Sequence, residues 1–275
     1  MIDPVENLPP LRDVIAAAGL AAKKSLGQNF LFDLNLTGRI ARHAGPFHDN
    51  TVIEVGPGPG GLTRALLLGG AQHVVAIERD DRAVAALQPL VEAAEGRLRI
   101  IPDDALKFDF SSLPAPRQIV ANLPYNIATL LLLGWLEDPS RFTKFTLMFQ
   151  KEVALRLVAT PGSSEYSRLS VMAQWRCKTK KLFDISPAAF TPPPKVTSSV
   201  VELIPYPVDP AGPTWVQMER VVAVAFSQRR KMLRSNLKAL GDAEALCAAI
   251  GVPGTVRAEE LTIEHFVKLA GIAHV

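Results

Sequence analysis

Cysteine is nearly absent from this 275-residue chain. Cys177 and Cys247 stand 70 positions apart, which excludes a disulfide scaffold and a thiolate zinc site and fits a reducing compartment. The five histidines, at positions 43, 48, 73, 265 and 274, show neither metal-ligand spacing nor an HExxH pattern, so no metal site is expected. The chain also lacks a basic opening followed by an apolar stretch. Asp3, Glu6 and Asp13 lie there instead, and the expected location is the cytoplasm. Long uncharged runs are rare too. One spans the 19 residues from Gln118 to Leu136, but Asn122, Pro124, Tyr125 and Asn126 interrupt it and argue against a bilayer span. The net charge is only +3, which taken whole argues against a nucleic-acid partner.

What is present is ordinary globular material. At 48% apolar and 21% charged, a chain of this length makes one large domain, or a large and a small one. After Gly45, short β-branched runs alternate with longer helical stretches. Thr51–Val55, His73–Ile77, Leu98–Ile101, Gln118–Ala121 and Phe145–Phe149 read as strands; Leu62–Leu68, Asp80–Ala94 and Ala128–Leu136 read as helices. Such alternation implies βαβ units and a parallel sheet covered on both faces, an α/β fold. Two later strands, near Thr179–Ile185 and Thr197–Ile204, would close the sheet as a hairpin. Four prolines between Pro205 and Pro213 can continue neither helix nor strand, which sets the expected division into domains 1–207 and 208–275. The second part reads as helical: one helix from Met218 through Ser235, one from Asp242 to Gly251, and one from Thr262. The first 20 residues read as a short helix, Leu11–Ala18, stopped by Gly19, with no assigned role.

Two motifs carry chemistry. Glu54-Val55-Gly56-Pro57-Gly58-Pro59-Gly60-Gly61 follows a strand and opens a helix, and Gly56, Gly58 and Gly61 satisfy GxGxxG. Glu78 ends the next strand, where its carboxylate can accept ribose hydroxyl protons, and Asp104 ends the third, within reach of an adenine amino group. This much fits a dinucleotide as well as S-adenosylmethionine. Glu54 two places before the first glycine favours the sulfonium cofactor. Pro57 and Pro59 also favour it, because they remove N–H groups that a pyrophosphate would need.

The second motif, Asn122-Leu123-Pro124-Tyr125, leaves the fourth strand beside that loop. A nucleobase amine is a poor nucleophile because its lone pair is delocalised into the ring. Acceptors on its protons, here the Asn122 side-chain oxygen and the Leu123 carbonyl, would localise the pair, with Pro124 fixing the turn and Tyr125 stacking on the base. Catalysis would then be mostly positioning, without a metal, and the base must leave its stack to enter.

The charge is unevenly spread. From Arg168 to Lys238 there are 12 Lys and Arg against four Asp and Glu, between two mildly acidic parts. Arg230, Arg234 and Lys238 recur every four residues, as one stripe of a helix, and Arg176, Lys178, Lys180 and Lys181 form a second cluster. Such clusters are commonly solvated faces, but beside a base-modifying site phosphate contact is the better reading.

Together with Lys24-Ser25-Leu26-Gly27-Gln28-Asn29-Phe30-Leu31, Phe190-Thr191-Pro192-Pro193-Pro194-Lys195-Val196 and Phe226-Ser227-Gln228-Arg229-Arg230-Lys231, these motifs occur in the order found in a known family. From about Lys23 onward the chain resembles the small-subunit rRNA adenine N6,N6-dimethyltransferases of the KsgA (RsmA) type. The resemblance implies a Rossmann-like S-adenosylmethionine-dependent methyltransferase domain with a small all-helical C-terminal domain. It implies that Asn29, Leu31, Gly56, Gly58, Glu78, Asp104 and Asn122 line the cofactor site. Asn122, Leu123, Pro124 and Tyr125 would hold the target adenine with Phe190 on its other face, and Arg229, Arg230, Lys231, Arg234 and Lys195 would meet RNA. The partner implied is rRNA in an assembling small subunit, the products are two adjacent dimethyladenosines near the rRNA 3′ end, and the enzyme is expected to be monomeric. An Erm-like large-subunit methyltransferase shares the catalytic motifs and is the near alternative. A non-catalytic assembly or transcription factor and a dehydrogenase are the more distant ones.

Overall fold

The computed structural model describes residues 3–20 and 29–273; the expected motif residues Lys24–Gln28 lie outside them. Nine strands follow in chain order: β1 (Phe30–Leu31), β2 (Thr51–Val55), β3 (His73–Glu78), β4 (Leu98–Pro102), β5 (Arg117–Asn122), β6 (Lys144–Gln150), β7 (Cys177–Ile185), β8 (Phe190–Thr191) and β9 (Ser198–Pro205). Seven form one sheet in the order β4-β3-β2-β5-β6-β9-β7, and β1 pairs with β8 in a small antiparallel sheet. β2 through β6 are parallel, and β9 runs antiparallel to β6. The strands that read as continuous apolar runs are buried on both faces: all five residues of β2, and Phe145–Phe149 in β6. That is what a parallel sheet with two covered faces requires. The late strands β7 and β9 are neighbours at one edge.

The chain visits β3 and β4 on one side of β2, then returns to β5 on the other. Ligands of open α/β sheets bind where the order reverses in this way, outside the carboxyl ends of the strands. The glycine loop leaves β2 and Asn122 ends β5, so topology alone brings both motifs to that crevice.

The helical stretch after β3 is two helices, Asp81–Ala86 and Gln88–Ala93. Pro89 lies in the first turn of the second, where its missing N–H costs no hydrogen bond. The N-terminal segment has a structural place. Val5, Leu11 and Leu20 are buried. The Arg64 guanidinium donates to the Pro9 carbonyl (2.7 Å), and Arg97 pairs with Asp3 (2.9 Å). Leu11 packs against Gly61, where an added Cβ would lie 3.0 Å from the Leu11 side chain and 2.7 Å from the Leu31 carbonyl oxygen. Residues 3–11 thus brace the helix that opens from the glycine loop, Gly61–Leu68.

The chain forms two compact units. One comprises the chain up to Gly134 with Ser140–Ala154 and Lys180–Pro205; the other comprises Trp135–Pro139, Leu155–Thr179 and the chain from Tyr206. The division near Pro205 lies beside the one drawn from the prolines, but the helical unit also takes Leu155–Thr179 from the expected first domain. Its helix Arg168–Arg176 buries Val171, Met172 and Ala173 and packs on the helices Trp215–Ala225 and Ile263–Ile272.

One expected helix is corrected. Met218–Ser235 is not continuous: a helix ends at Ala225 and another runs from Leu233 to Leu237. Asn236 donates its side-chain N–H groups to the carbonyls of Ala225 (2.6 Å) and Gln228 (3.2 Å). The amides of Leu233 and Arg234 go to Val256 (2.7 Å) and Gly254 (3.1 Å). The backbone groups a through-running helix would pair are satisfied elsewhere. Arg230 lies in the intervening turn and Lys238 in a 3-10 stretch, so with Arg234 they form no single helical stripe.

Candidate active site

The glycine loop is shaped by its own hydrogen bonds. Gly56, Gly58 and Gly60 all have positive φ (70°, 54° and 87°), a region L side chains rarely adopt. Their amides are all committed: Gly56 to the Ile77 carbonyl (2.9 Å), Gly60 to the Pro57 carbonyl (3.0 Å), and Gly58 to Glu78 Oε2 (3.1 Å). Pro57 and Pro59 have no N–H, so positions 56–60 offer none for a pyrophosphate. That removes the physical basis of the dinucleotide reading. Gly58 also lies under the Phe30 ring, 3.0 Å from where a Cβ would be.

Glu78 is buried at the end of β3. Its Oε1 accepts from the Asp80 amide (2.8 Å) and its Oε2 from Gly58. Burial raises its carboxyl above the ordinary range, while the backbone N–H groups of Asp80 and Gly58 pull it back. An ionised carboxylate has about four acceptor positions, so two remain for ligand hydroxyls. Asp80 itself is held by Arg82 in a two-pronged pair (3.0 and 2.6 Å). Asp104 accepts from the Leu106 amide (3.1 Å) and lies 3.5 Å from Arg79. Beneath the loop, Glu54 is 1% exposed. Thr63 donates to it (2.6 Å), and burial, reinforced by nearby Glu78, pushes its carboxyl up to about 8.

Asn122 sits at the mouth of this crevice. Its side-chain nitrogen donates to the Asn29 carbonyl (3.3 Å), which commits the donor end of the amide and leaves the oxygen as an acceptor for the cavity. Pro124 lies 3.8 Å from the Cβ position of Gly56, so the two motifs touch. Tyr125 begins the helix Tyr125–Glu137, and its hydroxyl lies 2.5 Å from Ser198 Oγ. One cavity is lined by Asn29, Leu31, Gly56, Gly58, Glu78, Asp104 and Asn122–Tyr125 together.

Phe190 is not on that wall. It is 2% exposed and pairs with Leu31 across the β1–β8 bridge, which turns it into the core; the expectation that it faces the adenine is corrected accordingly. Lys195 is exposed in the segment before β9. In the helical unit Arg229 is tied up: it pairs with Glu259 (2.9 Å) and donates to the carbonyls of Ser164 and Tyr166. Arg234 pairs with Glu244 (3.2 Å), and Arg230 and Lys231 are exposed. Arg229, Arg230 and Arg257 line a cleft with the turn 162–164. Arg257 escaped the sequence reading because it lies outside every basic cluster, as did Thr63 and Ser198, whose partners are distant along the chain. Among the described residues no cluster of metal-ligating side chains occurs, and no helix is long and apolar enough to cross a membrane.

Residues 19–274 match the family described as Ribosomal RNA adenine dimethylase. A "Ribosomal RNA small subunit methyltransferase A" of Rhodospirillum rubrum is 59% identical over 97% of this chain and 93% of its own length. One of Xanthobacter autotrophicus is 57% identical over 97% and 94%. Among solved structures, a dimethyladenosine transferase from Plasmodium falciparum superimposes with a TM-score of 0.73 at 27% identity, over 87% of this chain and 95% of that one. The 23S rRNA methyltransferase ErmE gives 0.67 at 26%, over 88% and 98%.

Proposed function

The chain belongs to the ribosomal RNA adenine dimethylase family, and on that premise we propose that it methylates N6 of two adjacent adenosines near the 3′ end of small-subunit rRNA, during subunit assembly in the cytoplasm and as a monomer. It is an S-adenosylmethionine-dependent methyltransferase with a Rossmann-like fold. The observation that carries the reading is the pairing of Asn122, its oxygen free as an acceptor, with a glycine loop that has no N–H for phosphate.

The residues present fit the cofactor. Glu78 keeps acceptor capacity for the ribose hydroxyls, Asp104 stands at the third strand's end for the adenine amine, and the glycines let the backbone approach closely. When bound, S-adenosylmethionine supplies an electrophilic methyl group on a sulfonium sulfur. Asn122 Oδ1 and the Leu123 carbonyl accept from the target amine and localise its lone pair, Pro124 holds the turn rigid, and Tyr125 stacks on the base. These residues work by fixing the nucleophile in line, so misplacement by an ångström is costly.

The test is mass mapping of methylated nucleotides after incubation with under-methylated small subunits or with large subunits. Adjacent dimethyladenosines in the small-subunit rRNA are expected, and methylation confined to the large subunit would contradict the assignment in favour of an ErmE-like activity. For RNA contact we expect the arginines to separate. Arg230→Ala should weaken RNA binding and flatten its log K against log salt slope by about 0.7–0.9, without changing the melting temperature. Arg229→Ala, which strips three acceptors of their donor, should lower the melting temperature by several degrees. Identical behaviour of the two variants would refute the distinction.

A further inference from the structure

We infer that Ser198 is a positioning residue for Tyr125 and that it matters most in the second methyl transfer to each adenine; the inference rests on reading the cavity as an adenine site. Ser198 Oγ lies 2.5 Å from the Tyr125 hydroxyl. Ser198 is fully buried, begins β9 opposite Gln150 in the antiparallel register, and follows Thr197, whose carbonyl accepts from the Lys151 amide (2.9 Å). Its Cβ is therefore fixed by strand pairing and by the bond just before it. Tyr125 stands where the rigid Asn122-Leu123-Pro124 turn enters a helix, which sets its backbone. What remains free in a tyrosine is two side-chain torsions, and a hydrogen bond at the far end of the ring restrains both. With its hydroxyl held by Ser198, Tyr125 offers the cavity its ring.

The two transfers make unequal demands on that ring. In the first, the amine has two N–H groups, one for Asn122 Oδ1 and one for the Leu123 carbonyl. The N6–C bond forms as the C–S bond breaks, and one N6 proton leaves to solvent. The monomethylated amine keeps a single N–H, so one of the two acceptor contacts is lost, and the new methyl group must also be accommodated. Stacking then carries a larger share of the orientation, and a loosened ring slows the second step more than the first.

The experiment follows the ratio of N6-monomethyl- to dimethyladenosine over time on under-methylated small subunits, with cofactor affinity measured by titration. Ser198→Ala is expected to raise the monomethyl fraction about fivefold, the worth of one net hydrogen bond, with cofactor affinity unchanged. Tyr125→Phe, which keeps the ring and alters no buried strand residue, should do the same and decides the matter if Ser198→Ala fails to fold. The double variant should be no worse than either single, because both remove one bond. A wild-type ratio in Tyr125→Phe, equal slowing of both steps, or additive effects overturns the inference. Absence of any methyladenosine from the wild-type enzyme would instead overturn the reading of the site.

Discussion

Asn122→Ala should leave a folded, cofactor-binding protein whose methyl transfer to RNA falls by about 10²–10³-fold, the usual loss when one polar group stabilising a transition state is removed. Asn122 is only half-buried, and the hydrogen bond it forfeits, to the Asn29 carbonyl at 3.3 Å, is worth about 1 kcal/mol. Stability and cofactor affinity should therefore change little while activity collapses. Single-turnover transfer of labelled methyl to under-methylated small subunits, run beside thermal melting, separates the effects; a variant within threefold of wild type would remove Asn122 from the chemistry. Asn122→Asp is also informative. It keeps an acceptor but loses the donor and sets a carboxylate against the Asn29 carbonyl, so we expect it to be impaired as well.

The second large effect concerns stability against pH. Glu54 is buried with a carboxyl pushed up to about 8 from 4.5, so the folded protein binds a proton there that the unfolded chain releases. The sign follows from linkage: the contribution is fully present below about pH 4.5, declines as pH rises, and is gone above about pH 8. Glu54→Gln has the shape of the neutral acid and does not titrate. Relative to wild type the variant should gain stability steadily between pH 5 and 8, to a total on the order of a few kcal/mol, since each pKa unit is worth about 1.4 kcal/mol. Urea denaturation at pH 5, 6.5 and 8.5 checks this. A difference between the two proteins that stays constant with pH would show that Glu54 is not held neutral.

Much of this was legible in the chain because it depends on short-range pattern. The runs at Thr51–Val55 and Phe145–Phe149 announce strands buried on both faces, and the glycine loop and the Asn122–Tyr125 turn each follow such a strand. What escaped depends on partners remote in sequence. The helix from Trp215 breaks after Ala225 although its apolar period continues, because Asn236 takes the carbonyls at its end. Phe190 belongs to a motif beside the site, but its pairing with Leu31 turns it into the core. Arg229 looks like any exposed cation until Glu259, 30 residues on, is seen to hold it. Leu155–Thr179 carries no proline-rich marker to assign it to the helical unit; only the packing of its helix does.

The committed amides of the glycine loop have a consequence for life in a mixture of metabolites. ATP and the nicotinamide dinucleotides share the adenosine half of the methyl donor, and a crevice that recognised adenosine alone would be open to all of them. A phosphate chain placed over positions 56–60 would lose its water and find no N–H to replace it, and burying a charge without such compensation is heavily unfavourable. Rejection of abundant phosphorylated nucleotides is therefore built into the fold by donors already spent on Ile77, Glu78 and Pro57, with no dedicated repelling side chain required.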